Sequence, residues 1–208
     1  MDLSYTLVQG WFKADSLSDG LKGLEPQQRL LLLSDGSLTL ELELLFGAKV
    51  TVEVRRNALS TLDKETSSYL EEVPGKEAIE RVVWLTLENK RLVFAKTLIP
   101  LDRIDRALKK TLEKKSSEPL GRVLNSQKIA FIKERLELAP VMSAAAASDL
   151  GMDKDSLLLA RRYVLFNREE GAGRWIIKAA VTEIFNPAIM PCAPDRFNRG
   201  LIPGSPLQ

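Results

Sequence analysis

The 208-residue chain has no histidine. Without an imidazole, Ser-His-Asp and Cys-His nucleophilic schemes are excluded, and so is any metal site built on histidine. Its single cysteine, Cys192, cannot form an internal disulfide or supply a zinc cluster, and it fits a reducing compartment. No apolar run reaches the length of a membrane span, and the opening MDLSYTLVQG lacks the basic-then-apolar layout of a signal peptide, so a cytoplasmic location is the expectation. There is no Gly-rich phosphate loop, no CxxC pair and no internal repeat. An excess of charge of one sign is also missing. Thirty Lys and Arg against 28 Asp and Glu leave a net charge of +2, which makes no case for a nucleic-acid or membrane-surface partner. The charged tools that remain are Arg, Lys, Glu and Asp. They favour chemistry on an anionic substrate without metal or covalent help.

What is present suits a soluble globular protein: 45% of residues are hydrophobic and 28% charged, and the length allows one domain with a substantial core over 1–208. Residues 1–28 read as a wrap of short helix and loop. Residues 188–208 belong to a proline-rich tail. Arg29 to Leu33 is an apolar run that stops at the turn signal Ser34-Asp35-Gly36-Ser37. Leu38 to Phe46 fits a helix turn or a strand. Val50 to Arg56 alternates as a half-buried strand, and Ser60 to Val73 reads as exposed helix or loop. A hairpin runs from Arg81 to Leu87 and from Leu92 to Ile99 around Glu88-Asn89-Lys90. Helices are expected over Asp102–Lys115 and over Gln127–Leu138, the latter with Ile129, Ile132 and Leu136 on one face. Ser143 to Leu159 faintly suggests helix-turn-helix spacing. Asp149, Asp153 and Asp155 crowd its turn, however, where a recognition helix needs basic or amide side chains. A second hairpin spans Arg161 to Pro187. Hairpins with helices grouped between them predict an α+β fold with one antiparallel sheet flanked by helices.

Three charges interrupt otherwise apolar strand rows. On the last strand Trp175, Ile177, Ala179, Val181, Glu183 and Phe185 share a face, and a carboxylate in such a row needs a partner, a ligand or a wet pocket, unless the strand simply ends at Asn186-Pro187 and Glu183 points out over the sheet edge. Arg81 shares a row with Val83, Leu85 and Leu87, and Lys96 one with Leu92, Phe94 and Leu98; taken singly, each cation reads as a solvated strand end. Brought together, two cations and one carboxylate would offset their own burial cost and leave a positive site. Near them, the turn at 34–39 supplies plausible helix caps. The backbone N–H groups of Leu120 and Gly121 sit where a helix start could present donors to an anion.

These segments occur in a recognisable order: SDGSLT at 34–39, IERVVWL at 79–85, VFAKTLIP at 93–100, EPLGRVL at 118–124, ARRYVLF at 160–166 and VTEIFNP at 181–187. Together they resemble the chorismate lyase (chorismate pyruvate-lyase, 4-hydroxybenzoate synthase) family, from about Arg29 to Pro187. The resemblance implies a single antiparallel sheet with the site closed under helical flaps. It also implies cofactor-independent elimination of pyruvate from chorismate, giving 4-hydroxybenzoate as a quinone precursor. The family's binding arginine falls on Arg81 and its glutamate on Glu183, which become the catalytic candidates. Its backbone contacts fall on Leu38, with Thr39 beside it, and on Leu120, with Gly121. A second family arginine is replaced by Lys96, which keeps the charge but loses the two-pronged grip on a carboxylate.

The expected partners are therefore chorismate and 4-hydroxybenzoate, with a monomer as the expected state. A non-catalytic sensor of small carboxylates is the alternative, since the same sheet resembles effector-binding domains of bacterial regulators. The 28 residues ahead of the resemblance are too few for a DNA-binding domain. A third reading, prompted by Lys96, is a relative that acts on isochorismate or prephenate.

Overall fold

In the computed structural model, residues 4–14, 24–169 and 173–192 are described. Two long hairpins form the centre of the sheet. In the first, β4 (Glu77–Leu87) and β5 (Lys90–Pro100) are joined by Glu88 and Asn89, both at positive φ (47° and 65°) as a two-residue hairpin turn requires. In the second, β7 (Leu157–Arg168) pairs antiparallel with β8 (Trp175–Phe185). The hairpins join through β5 and β8, with Ala95 opposite Glu183. Flanking strands β3 (Val50–Thr61) and β6 (Ile132–Met142) extend the sheet, and the short strands β1 (Thr6–Leu7) and β2 (Phe12–Lys13) both pair with β6. The result is one antiparallel sheet in the order β1-β6-β7-β8-β5-β4-β3. This is the α+β architecture the sequence predicts. The N-terminal segment contributes edge strands where a short helix was expected.

Helices cover both faces. On one side lie α1 (Pro26–Leu33), α2 (Leu38–Phe46), α4 (Arg106–Lys114) and α5 (Leu120–Ser126). They bury two apolar clusters against the sheet. One is built on Leu31, Leu42, Val83, Val93 and Phe185, and the other on Leu108, Leu124, Leu165, Ile177 and Val181. The other face is covered by α3 (Lys64–Leu70) and α6 (Ala144–Asp149), over Trp84, Phe94, Leu158 and Ile184 and over Leu70, Leu98 and Val164. No helix among the described residues is long and apolar enough to cross a membrane.

Two register irregularities decide which side chains face which cover. Leu85 pairs with Val93 but Thr86 with Arg91, so Leu92 is an extra residue on β5 and a bulge. On β6 the pairing slips between Glu134 and Glu137, where Arg135 takes φ 56°. That segment was expected to be helix. The helical spacing of Ile129, Ile132 and Leu136 is coincidental: Ile129 precedes the strand, Ile132 is 56% exposed, and the bulge breaks the two-residue alternation between Lys133 and Leu136. The supposed helix-turn-helix is likewise a six-residue helix running into β7.

Candidate functional site

The two apolar clusters on the α1/α2/α4/α5 side do not meet over the middle of the sheet. Between them lies a cavity. Its floor carries Arg81, Val83 and Leu85 from β4, Ala95 and Thr97 from β5, Lys133 from β6, Tyr163 and Leu165 from β7, and Val181 and Glu183 from β8. Its roof is the 36–39 turn into α2 and the 119–121 start of α5.

Glu183 is 4% exposed and does find its partner: Arg161 Nε donates to Glu183 Oε2 at 2.5 Å, and the Tyr163 hydroxyl donates to Glu183 Oε1 at 3.2 Å. Arg161 is completely buried. Burial works against its charge, yet the adjacent Glu183 carboxylate holds its pKa above the usual value. The same guanidinium donates through Nη1 to the carbonyls of Leu31 and Leu32. Those carbonyls end α1, where a helix presents unpaired acceptors and the negative end of its dipole. One arginine thus ties a helix end to the acid of the site. Burial, and next the Glu183 charge, push the Tyr163 phenol well above 10, so it stays a donor.

Arg81 is 7% exposed. Its Nη2 donates to the backbone carbonyls of Ser116 at 3.0 Å and Glu118 at 2.6 Å, just ahead of α5. Burial lowers its pKa to about 10, which leaves it charged at neutral pH. Lys133, half-buried on β6, donates to the Ser34 carbonyl at 3.2 Å and lies 4.7 Å from the Tyr163 ring centre. Burial, with Arg161 adding repulsion, lowers its pKa to about 8.

The two roof segments approach very closely. A Cβ on Gly121 would stand 2.7 Å from Ser37 Oγ, so glycine is what lets the starts of α2 and α5 meet. The first N–H groups of both helices, at Leu38 and Thr39 and at Leu120 and Gly121, have no carbonyl one turn back to bond. Arg122 fixes the pair from behind, donating through Nη2 to Glu43 and to the Val50 carbonyl at 3.1 Å. Six of the seven expected site residues therefore line one cavity: Arg81, Glu183, Leu38, Thr39, Leu120 and Gly121.

Lys96 does not. It stands opposite Val82 and Thr182 on the far face, paired with Glu80 at 3.0 Å. The bulge at Leu92 is the reason. Continued without it, the pairing at the turn would set Arg81 opposite Lys96 on one face; the extra residue sets Arg81 opposite Thr97 and turns Lys96 away. In place of Lys96, the cavity holds Lys133, with Arg161 directly behind Glu183. Both were missed. Arg161 was visible as the row-mate of Tyr163 and Leu165 on a strand already recognised. Lys133 was hidden by the helical reading of β6.

Comparison with solved structures gives the same sheet and helix cover. PhnF from Mycobacterium smegmatis matches with a TM-score of 0.60 at 18% identity, over 76% of this chain and 67% of that one. The effector domain of PhnF matches with a TM-score of 0.56 at 18% identity, over 75% and 91%. The C-terminal domain of the histidine utilization repressor from Pseudomonas syringae matches at 0.51 and 11%, over 70% and 96%. At these identities the likeness is one of fold. No curated protein matches the sequence. The family model described as chorismate pyruvate-lyase, Rv2949c-like, matches residues 32–192, a span that holds every part of the cavity, and the chain belongs to that family.

Proposed function

We propose that this protein is a chorismate pyruvate-lyase, releasing pyruvate from chorismate to leave 4-hydroxybenzoate. The observation that carries the reading is the convergence of a buried arginine, a buried glutamate and two helix starts on one cavity. Arg81 and the N–H groups at Leu38 and Leu120 suit the ring carboxylate. A charge-assisted bond of this kind contributes about 1.5–3 kcal/mol, and more where water is excluded. Glu183 already accepts from Arg161 and Tyr163 and keeps lone pairs for a further donor. It would accept from the ring hydroxyl and fix the orientation of the ring.

Little further chemistry is needed. The carbon–oxygen bond to the enolpyruvyl group breaks, and the hydrogen on the hydroxyl-bearing carbon is lost. The ring becomes aromatic, and the proton ends on the departing group as it becomes pyruvate. Aromatisation drives the step, so the protein's work is to hold a reactive conformer and stabilise the departing anion. The test is incubation of the purified chain with chorismate and no added metal, with ultraviolet detection of the product. Formation of 4-hydroxybenzoate is expected; its absence would defeat the reading.

A second reading draws on the solved structures, several of which are regulator effector or ligand-binding domains. On that reading the cavity binds a small carboxylate without turning it over. Tight binding of chorismate or 4-hydroxybenzoate with no product would favour it.

A further inference from the structure

The cavity is lined by two cations, Arg81 and Lys133, and by one acid, Glu183, whose charge Arg161 cancels from behind. That is a surplus of two positive charges, where one carboxylate needs only one. The two cations stand on different walls. Arg81 is on β4 and Lys133 on β6, four strands away in the sheet order. Lys133 belongs to the Glu183 end: its Nζ lies 4.7 Å from the Tyr163 ring centre, and the Tyr163 hydroxyl donates to Glu183 at 3.2 Å.

On the substrate proposed above, the ether-linked three-carbon group is attached beside the carbon that bears the hydroxyl. If Glu183 takes that hydroxyl, the second carboxylate comes to the Glu183 end, away from the one held by Arg81. We propose that Lys133 binds this second carboxylate, and so makes the site selective for a two-carboxylate substrate over its one-carboxylate aromatic product. The assignment rests on the reading of the cavity as a chorismate site, and deepens it.

The surroundings of Lys133 agree. Among the described residues its hydrogen-bond partner is a backbone carbonyl, that of Ser34, which leaves ammonium donors for a ligand. The charges that act on it are Arg161 from β7, Glu183 from β8, Glu41 from α2 and Asp35 from the turn. The free lysine has a pKa of about 8, so its charge is full below that pH and fades above it. Substrate binding should therefore weaken as pH rises through about 8, while product binding should not.

The experiment compares Lys133→Met and Lys133→Arg with the wild-type chain, using chorismate kinetics and the equilibrium dissociation constant of 4-hydroxybenzoate. Lys133→Met is expected to raise the KM for chorismate about 10- to 100-fold, as loss of one charge-assisted contact predicts, and to leave product affinity within about threefold. Lys133→Arg should recover most of the loss, and the rise of KM above pH 8 should vanish in Lys133→Met. Equal weakening of both ligands would mean that Lys133 merely supports the roof, and an unchanged KM would also overturn the assignment. If the wild-type chain binds both compounds without turnover, the lyase reading falls by itself. The same split between the two dissociation constants then decides for or against Lys133.

Discussion

Arg161 and Arg162 are neighbours in the chain and lie in different chemical worlds. Arg161 points to the cavity side, is fully buried, and holds Glu183 and the end of α1. Arg162 points to the other face, where Glu137 at 2.6 Å and Glu65 at 2.7 Å take its charge and the rings of Trp11 and Tyr69 lie against it, 4.4 and 4.2 Å away. The contrast extends across the sheet. On the far face Glu80 meets Lys96 and Arg56, and Asp149 meets Arg55 and the Trp84 indole. There, cations and acids balance. On the cavity face they do not, because among the described residues Arg81 has only backbone carbonyls as acceptors and Lys133 likewise. Unbalanced buried charge costs stability, and this sheet concentrates it on one side of one layer.

The sharpest test of this contrast removes one partner on each face. Glu183→Ala strands a fully buried guanidinium and should cost about 3–5 kcal/mol in urea denaturation. Lys96→Ala should cost less than about 1 kcal/mol, since Arg56 still holds Glu80 at 2.5 Å. Equal losses would erase the distinction between the faces. For activity, Arg81→Met is expected to lower kcat/KM for chorismate at least about 100-fold while circular dichroism still reports a folded sheet. A normal rate in that variant would dissolve the cavity's role.

Smaller, and aimed at the roof, is Gly121→Ala. The added methyl group meets Ser37 Oγ and should cost about 1–2 kcal/mol, with a matching loss of ligand affinity. Ser37→Ala in the same chain should restore most of it, because the Ser37 Cβ is an unstrained 3.5 Å away. Failure of that rescue would show that the close approach of α2 and α5 is incidental. Smallest of all, Lys96→Ala should change kcat/KM by less than about twofold.

Much of this was legible from residue order. Alternation along β8 put Glu183 in an otherwise apolar row without deciding whether it turned inward or out over the strand end, and the motifs at 34–39, 79–85 and 118–124 marked what converges on it. Parity across the β4/β5 hairpin was not legible. It depends on a single extra residue, Leu92, and no local composition separates a bulged hairpin from a regular one. β6 failed for a related reason, since its bulge near Arg135 breaks the two-residue alternation between Lys133 and Leu136 and so concealed that Lys133 faces inward. The residues misread are those whose direction depends on register, which is settled by pairing between strands distant in sequence.

The bond from Arg161 to the last turn of α1 has a mechanical consequence. With Leu31 and Leu32 anchored to the strand that bears the guanidinium, α1 is a fixed post. The turn from Ser34 to Ser37 therefore leaves from a fixed point, and α2 at its far end is held in its own right by the contact of Arg122 with Glu43. The Arg161 side chain is thus a single point at which the lie of the roof and the acid beneath it are set together.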